Sequence, residues 1–180
     1  MGKIATTGIW KIEKRLDNVI DYTTNIEKTI NSDYGKDSYY DLHNVIDYVE
    51  ADYKTEKQFY VSGVNCNPKT ALEEMTITKE QYGKTGGILG FHAFQSFAEG
   101  EVTPEQCHAI GVRLAEEMWG DRFEVVVSTH LNTNHYHNHF VINSVSFKDG
   151  KRYYDKRETY AELRRLSDSL CEEYGLSVLK

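Results

Sequence analysis

Four of the seven histidines fall within ten residues, in the string His130-Leu131-Asn132-Thr133-Asn134-His135-Tyr136-His137-Asn138-His139. Imidazole is the commonest metal ligand, and three imidazoles on one ion leave positions open for a substrate. The spacing restricts which three. On a strand, alternate residues share a face, so His135, His137 and His139 would point the same way. His135 and His139 would then lie roughly 13 Å apart, too far for bonds of about 2.0–2.1 Å to a single ion. His137 and His139, at roughly 7 Å, can converge. His130 sits near the end of the preceding β-rich segment and reaches them across an antiparallel pair, where neighbours are about 5 Å apart. Spacing alone allows 130/137/139 or 130/135/137, and a bulge would relax either restriction.

These residues need a strand pair to hold them. Strand signals lie at Gly8–Ile12, Gln58–Val64, Ile88–Phe97, Phe123–Thr129 and Phe140–Phe147. Asp149-Gly150 marks a tight turn that returns the chain over Lys151–Tyr154. Helical repeats appear as Leu16, Val19, Ile20 and Thr23, and again as Leu42, Val45, Ile46 and Val49. Pro68 opens a helical turn leading to Ala71, Leu72 and Met75. Thr103-Pro104-Glu105-Gln106 reads as a capping box for a helix running to about Trp119. A last helix, roughly Tyr160 to Tyr174, stops at Gly175. The two segments flanking the histidine loop must pair antiparallel, because a parallel pair needs a long crossover. The expected class is α+β: a mainly antiparallel sheet of about five strands carrying helices, with the metal site on central strands.

Bulk properties narrow the setting. A chain of 180 residues, 39% hydrophobic and 27% charged, is sized for one globular domain spanning 1–180. No apolar run approaches the roughly 18 residues of a membrane span, and the N-terminus lacks a secretory signal. Cys66, Cys107 and Cys171 are odd in number and outside any CxxC spacing, which argues against a disulfide framework or a thiolate zinc site. A reducing, cytoplasmic compartment is expected. The net charge of −7 runs against nucleic-acid binding by charge alone. From Lys148 to Arg165, however, seven basic residues face four acidic ones, with Tyr153, Tyr154 and Tyr160 interleaved. Cations with aromatic faces suit single-stranded nucleic acid, and Lys151, Arg152, Lys156 and Arg157 are the candidate contacts.

His130-x6-His137-x-His139 followed by Phe140-Val141-Ile142-Asn143 resembles the third motif of plasmid mobilisation relaxases, within the wider superfamily of paired-histidine endonucleases. Val19-Ile20-Asp21-Tyr22-Thr23 resembles the first motif. Gly63-Val64-Asn65-Cys66-Asn67-Pro68 is similar to the segment after the second strand, and His92-Ala93-Phe94-Gln95-Ser96-Phe97 with Gly100-Glu101 to the second motif. The likeness is greatest to P-type relaxases, particularly those on mobile elements of Gram-positive bacteria. It covers almost the whole chain, and it implies His130, His137 and His139 as ligands.

The resemblance implies a transesterification at the origin of transfer that starts conjugative transfer: a tyrosine attacks one phosphodiester of single-stranded DNA, giving a 5′-phosphotyrosyl link and a free 3′-hydroxyl. It implies Tyr22 as nucleophile, with Tyr48 the runner-up because Val45-Ile46-Asp47-Tyr48 repeats Tyr22's local context. It implies Ser96 near the scissile phosphate, with His92 on the same face able to approach DNA. His135, by its strand facing, is expected to position or deprotonate Tyr22. Asn132 stands where such relaxases often carry an aspartate, and an amide cannot act as a base. The cofactor is expected to be Mn²⁺ or Mg²⁺, other transition ions being compatible with imidazoles. Implied partners are origin single-stranded DNA, accessory relaxosome proteins and a conjugative coupling protein, with further regions C-terminal to this domain. The same superfamily offers a rolling-circle initiator or transposase, whose tyrosine would be Tyr160 or Tyr174. More distant readings are a tri-histidine hydrolase or oxygenase, which would want a carboxylate ligand, and a DNA-binding module with a structural metal.

Overall fold

The computed structural model describes residues 6–24 and 60–178. In chain order the elements are β1 (Thr6–Ile12), α1 (Leu16–Thr23), β2 (Val61–Val64), a 3-10 turn (Pro68–Thr70), α2 (Ala71–Gln81), β3 (Gly90–Ser96), α3 (Pro104–Trp119), β4 (Val125–His130), β5 (His137–Asn143) and α4 (Arg157–Glu173). The expected helix around Leu42–Val49, together with Tyr48, Gln58 and Phe59, lies outside the described residues. Among the described residues no helix is long and apolar enough to cross a membrane.

The strands form one sheet in the order β1-β3-β5-β4-β2, and every neighbouring pair is antiparallel. β5 is therefore central, with β4 beside it. The 131–136 connection sets the register between them, with His130 opposite His137 and Ser128 opposite His139. β5 begins three residues earlier than the apolar pattern of Phe140–Phe147 indicated, and ends at Asn143. Its first residues are polar, so hydrophobic alternation could not find them; pairing with β4 makes them strand. Beyond Asn143 the expected returning strand is reduced to one bridge between Val145 and Arg152 around the Gly150 turn.

Alternation divides the sheet into two faces. On one, α3 and α4 cover Phe91, Ala93, Val125, Val127, Phe140 and Ile142, which contribute most of the apolar burial. On the other, α1 and α2 enclose a smaller cluster of Ile12, Leu16, Ile20, Met75, Val126 and Val141. A fully buried Val or Ile contributes about 1.5–3 kcal/mol relative to exposure, so Val125–Val127 of β4 and Phe140–Ile142 of β5, all fully buried, fix the central strand pair. α3 carries the expected capping box: Thr103 Oγ1 accepts from the Gln106 N–H, and Gln106 Oε1 accepts from the Thr103 N–H, both at 3.1 Å. α4 starts at Arg157 rather than Tyr160, because Thr159 Oγ1 accepts the Lys156 N–H and organises a polar first turn. It ends before Gly175, at φ 73°.

One polar chain runs through the α3-side core. Asn138 Nδ2 donates to Cys107 O (2.8 Å) and Gln95 Oε1 (3.1 Å), and Gln95 Nε2 donates to Ser167 Oγ (2.8 Å). Because Cys107 O can only accept, Asn138 Oδ1 must be the acceptor for the Thr129 hydroxyl at 2.6 Å. The Thr129 oxygen then accepts from His108 Nδ1–H (2.8 Å), and His108 Nε2 accepts from Ser62 Oγ (2.6 Å). α3 comes this close because position 111 is glycine: a Cβ there would lie 2.5 Å from Asn138 Nδ2.

Two predictions follow from this chain. Asn138→Ala strips Gln95 Oε1 and Cys107 O of their buried donor, and should cost about 3 kcal/mol in urea unfolding; a loss under about 1 kcal/mol would show that the chain is not fixing the strands. Burial holds the His108 pKa down from 6.5 to about 4. Between those values the unfolded chain binds the proton and the folded one does not, so stability should fall as pH drops from 6.5 towards 4 and be insensitive above 6.5. In His108→Gln, denaturant midpoints across this range should show a shallower slope.

Candidate active site

His130 ends β4, while His137 and His139 open β5 two residues apart on the α1 side of the sheet. One ligand atom from each lies within 4.8 Å of the others, so the three can hold a metal ion. Among the described residues no carboxylate joins them. Of the two sets that spacing allows, the structure brings together 130/137/139.

Hydrogen bonds orient each ring. His130 Nε2 is 2.8 Å from Thr23 O and His137 Nδ1 is 2.9 Å from His135 O. A carbonyl can only accept, so His130 carries its proton on Nε2 and His137 on Nδ1. The lone pairs are then on His130 Nδ1 and His137 Nε2, the state in which imidazole ligates. His139 Nδ1 is 2.6 Å from His92 Nε2, with ring centroids 4.8 Å apart. A proton on His139 Nδ1 donated to His92 would complete the set, matching the arrangement in which a ligating histidine donates its other N–H to a fixed acceptor. The donor set thus fits a divalent ion that accepts imidazole.

Tyr22 lies beside this cluster. Leu16, Ile20 and Thr23 form the buried stripe of α1, and Tyr22 is carried on its flank, 52% exposed. Its ring centroid is 6.0 Å from His130 and 6.1 Å from His139, edge-on to both. Thr23 O, one residue on, receives the His130 proton, so one bond ties the end of α1 to a ligand ring. Ser96, at the end of β3, is the cross-strand neighbour of His137.

Other sequence candidates sit elsewhere. His135 lies in the loop, outside β5, so strand alternation does not govern its direction. Its Nδ1 contacts Phe97 O at 3.3 Å, while its own carbonyl accepts from Thr133 Oγ1 and from His137. With Phe97 N–H donating to Tyr136 O, these contacts clamp the loop to the end of β3. Asn132 is exposed and lines an open groove with Ala98, Glu99 and Gly100. Arg152 donates to Gly86 O beyond the Asn143 end of β5, and Lys151 is next to it. That end is separated from His137 by roughly 20 Å of strand. Lys156 and Arg157 start α4, which packs on the opposite face. Tyr160 donates to Thr7 O from the same helix. The sequence did not single out the link from His92 to His139, nor an aromatic stack of Trp10 on Phe94 beside it. The period-two alternation of 92, 94 and 96 was the available signal.

A five-stranded antiparallel sheet with three oriented imidazoles on its central strands and a tyrosine helix beside them defines an α+β domain able to hold a divalent ion. The chain matches the family described as Relaxase: MobA/VirD2-like, nuclease domain, over residues 25–176, and it belongs to that family. The three histidines, His92 and Ser96 fall inside the matched span, and Tyr22 precedes it. Two proteins named Protein rlx from Staphylococcus aureus are similar: one is 43% identical over 117 residues (65% of this chain, 37% of the relative), the other 40% over 126 residues (70% and 39%). The Group II intron-interrupted relaxase LtrB of Lactococcus lactis subsp. cremoris (strain MG1363) is 28% identical over 208 residues, covering 93% of this chain and 36% of that protein. The chain thus spans a little over a third of the length of these relatives. A solved structure reported under "Molecular Basis of Vancomycin Resistance Transfer in Staphylococcus aureus" shares the fold, with a TM-score of 0.56 at 14% identity, covering 98% of this chain and 96% of that one.

The His92 contact makes a prediction. His92→Phe removes the partner of His139 Nδ1 without adding charge, and should weaken Co²⁺ or Mn²⁺ binding roughly 10- to 100-fold by calorimetry. Unchanged affinity would show that His139 is oriented without it.

Proposed function

We propose that this domain nicks and rejoins one DNA strand at an origin of transfer, with Tyr22 as nucleophile and His130, His137 and His139 as the metal ligands. The observation that carries this reading is the placement of the Tyr22 ring about 6 Å from two imidazoles of a cluster able to hold an ion. The Tyr22 oxygen attacks phosphorus; the new O–P bond replaces the P–O3′ bond, leaving a 5′-phosphotyrosyl link and a 3′-hydroxyl. Tyr22 gives up its phenolic proton as it attacks, and the departing 3′ oxygen takes one up. The reverse attack by a 3′-hydroxyl restores the strand.

A bound ion supplies Lewis-acid neutralisation of charge growing on the phosphate oxygens. Mn²⁺ suits imidazoles better than Mg²⁺, which prefers oxygen ligands, although Mg²⁺ is the more abundant alternative. Ser96, beside His137, is placed to donate to the phosphate. His135 serves as loop anchor for His137, its ring and carbonyl both engaged by the loop's own contacts. Contacts from Lys151, Arg152, Lys156 and Arg157 would fall on DNA away from the reacting phosphate. The protein acts in the cytoplasm, with relaxosome proteins and a coupling protein as partners. The initiator reading is disfavoured because Tyr160 and its helix lie on the other face of the sheet.

The test is covalent capture. With Mn²⁺ and a single-stranded oligonucleotide from its own transfer origin, the protein should form an adduct that survives denaturation. Tyr22→Phe should abolish it, because phenylalanine has no oxygen to attack phosphorus. An adduct persisting in Tyr22→Phe but lost in Tyr48→Phe or Tyr160→Phe would overturn the assignment.

A further inference from the structure

On the α1 side of the sheet, three adjacent strands carry a line of rings leading away from the histidine cluster. Phe94 of β3 is the register partner of His139 on β5 and of Gly8 on β1. Its ring is stacked with Trp10 of β1 at 5.2 Å between centroids and 17° between planes. Trp10 also lies 5.9 Å from His92, whose ring contacts His139. Strands are spaced about 4.8 Å apart, so Trp10 lies roughly 10 Å across the sheet from the β5 histidines.

The stack is built rather than incidental. Phe94 can lie across β1 only because position 8 is glycine; a Cβ there would run into the Phe94 ring. The indole is held by packing, yet remains 56% exposed. A single exposed apolar residue would mean little. Here an indole is pre-set in a fixed plane at the edge of a reaction site, where its stacking partner would lose little entropy on binding. α1 contacts β4 and β5, and with α2 it encloses a cluster that reaches Ile12 at the end of β1. Trp10 and Phe94, nearer the histidines, stand outside that cluster.

We infer that Trp10, backed by Phe94 on Gly8, is a stacking platform for an unpaired base of a nucleotide flanking the phosphate at the histidine cluster. The inference rests on the proposed function, which supplies a single strand at that cluster. Stacking on an aromatic face is tolerant of base identity, so the platform would hold the strand in place more than read its sequence.

Binding of the metal-loaded protein to oligo(dT) is compared with binding to an abasic oligodeoxynucleotide of the same length, which keeps the phosphates and removes the bases. Wild type should prefer oligo(dT), with quenching of Trp10 emission over the background of buried Trp119. Trp10→Ala should lower oligo(dT) affinity about 5- to 100-fold and leave the abasic strand unchanged, while Trp10→Phe retains most of the preference. Gly8→Ala, which displaces Phe94 and leaves Trp10 present, should also lower the preference. Oligo(dT) binding unchanged in Trp10→Ala, or a wild type that binds both strands equally, would overturn the platform and leave the nuclease reading intact. Failure of wild type to bind either strand would bring down both.

Discussion

The site depends on the register of β4 against β5. With His130 opposite His137, three imidazoles meet on one face and Asn138 falls on the other. A slip of one residue would exchange those faces, burying imidazoles and putting an amide in the cluster. Apolar packing does not exclude such a slip strongly at this end of β5, where His137, Asn138 and His139 offer no hydrophobic alternation. The exclusion comes from Asn138, whose amide meets Cys107 O, Gln95 and Thr129 together. Only one register satisfies all of them, and any other leaves buried polar groups without partners. A polar chain on the back of the sheet therefore specifies the chemistry on its front.

The partners of the three rings are not equivalent. Thr23 O and His135 O are backbone acceptors, which fix the proton on His130 and His137 whatever the surroundings. His92 is an imidazole that can give or accept, so His139 is the ring of the three whose state depends on a side chain. The Thr23 bond does a second thing: it joins the His130 ring to the end of α1, next to Tyr22. A shift of that helix would move the tyrosine and reorient His130 together.

Much of this was legible in the sequence, and the boundary between legible and hidden has a physical cause. Local chemistry was readable: the Thr103 capping box, Pro68 at a first turn, Gly175 after the last helix and the Gly150 turn all appear where residue type demands them. The antiparallel β4–β5 pair was forced by its short connection. The ligand trio was narrowed by spacing and selected by family likeness. Long-range side-chain contacts were hidden. Strand period assigned His135 to the site, but a loop has no period, and its carbonyl proves to be what His137 engages. The basic stretch 148–165 was visible as composition, whereas its division between the far end of the sheet and the opposite face was not.

That division bears on how an acidic chain would meet DNA. The sequence carries a net charge of −7, and the candidate cations lie away from the cluster. In the proposed reaction, attraction at the phosphate would then need a local origin. Three neutral imidazoles, with no carboxylate joining them among the described residues, would leave the full double charge of a divalent ion uncancelled, where a carboxylate would offset part of it. The ion would provide charge at one point, and the Trp10 stack would supply affinity that salt does not screen. An aromatic platform beside three imidazoles would then substitute for a basic groove that Lys151, Arg152, Lys156 and Arg157 do not form there.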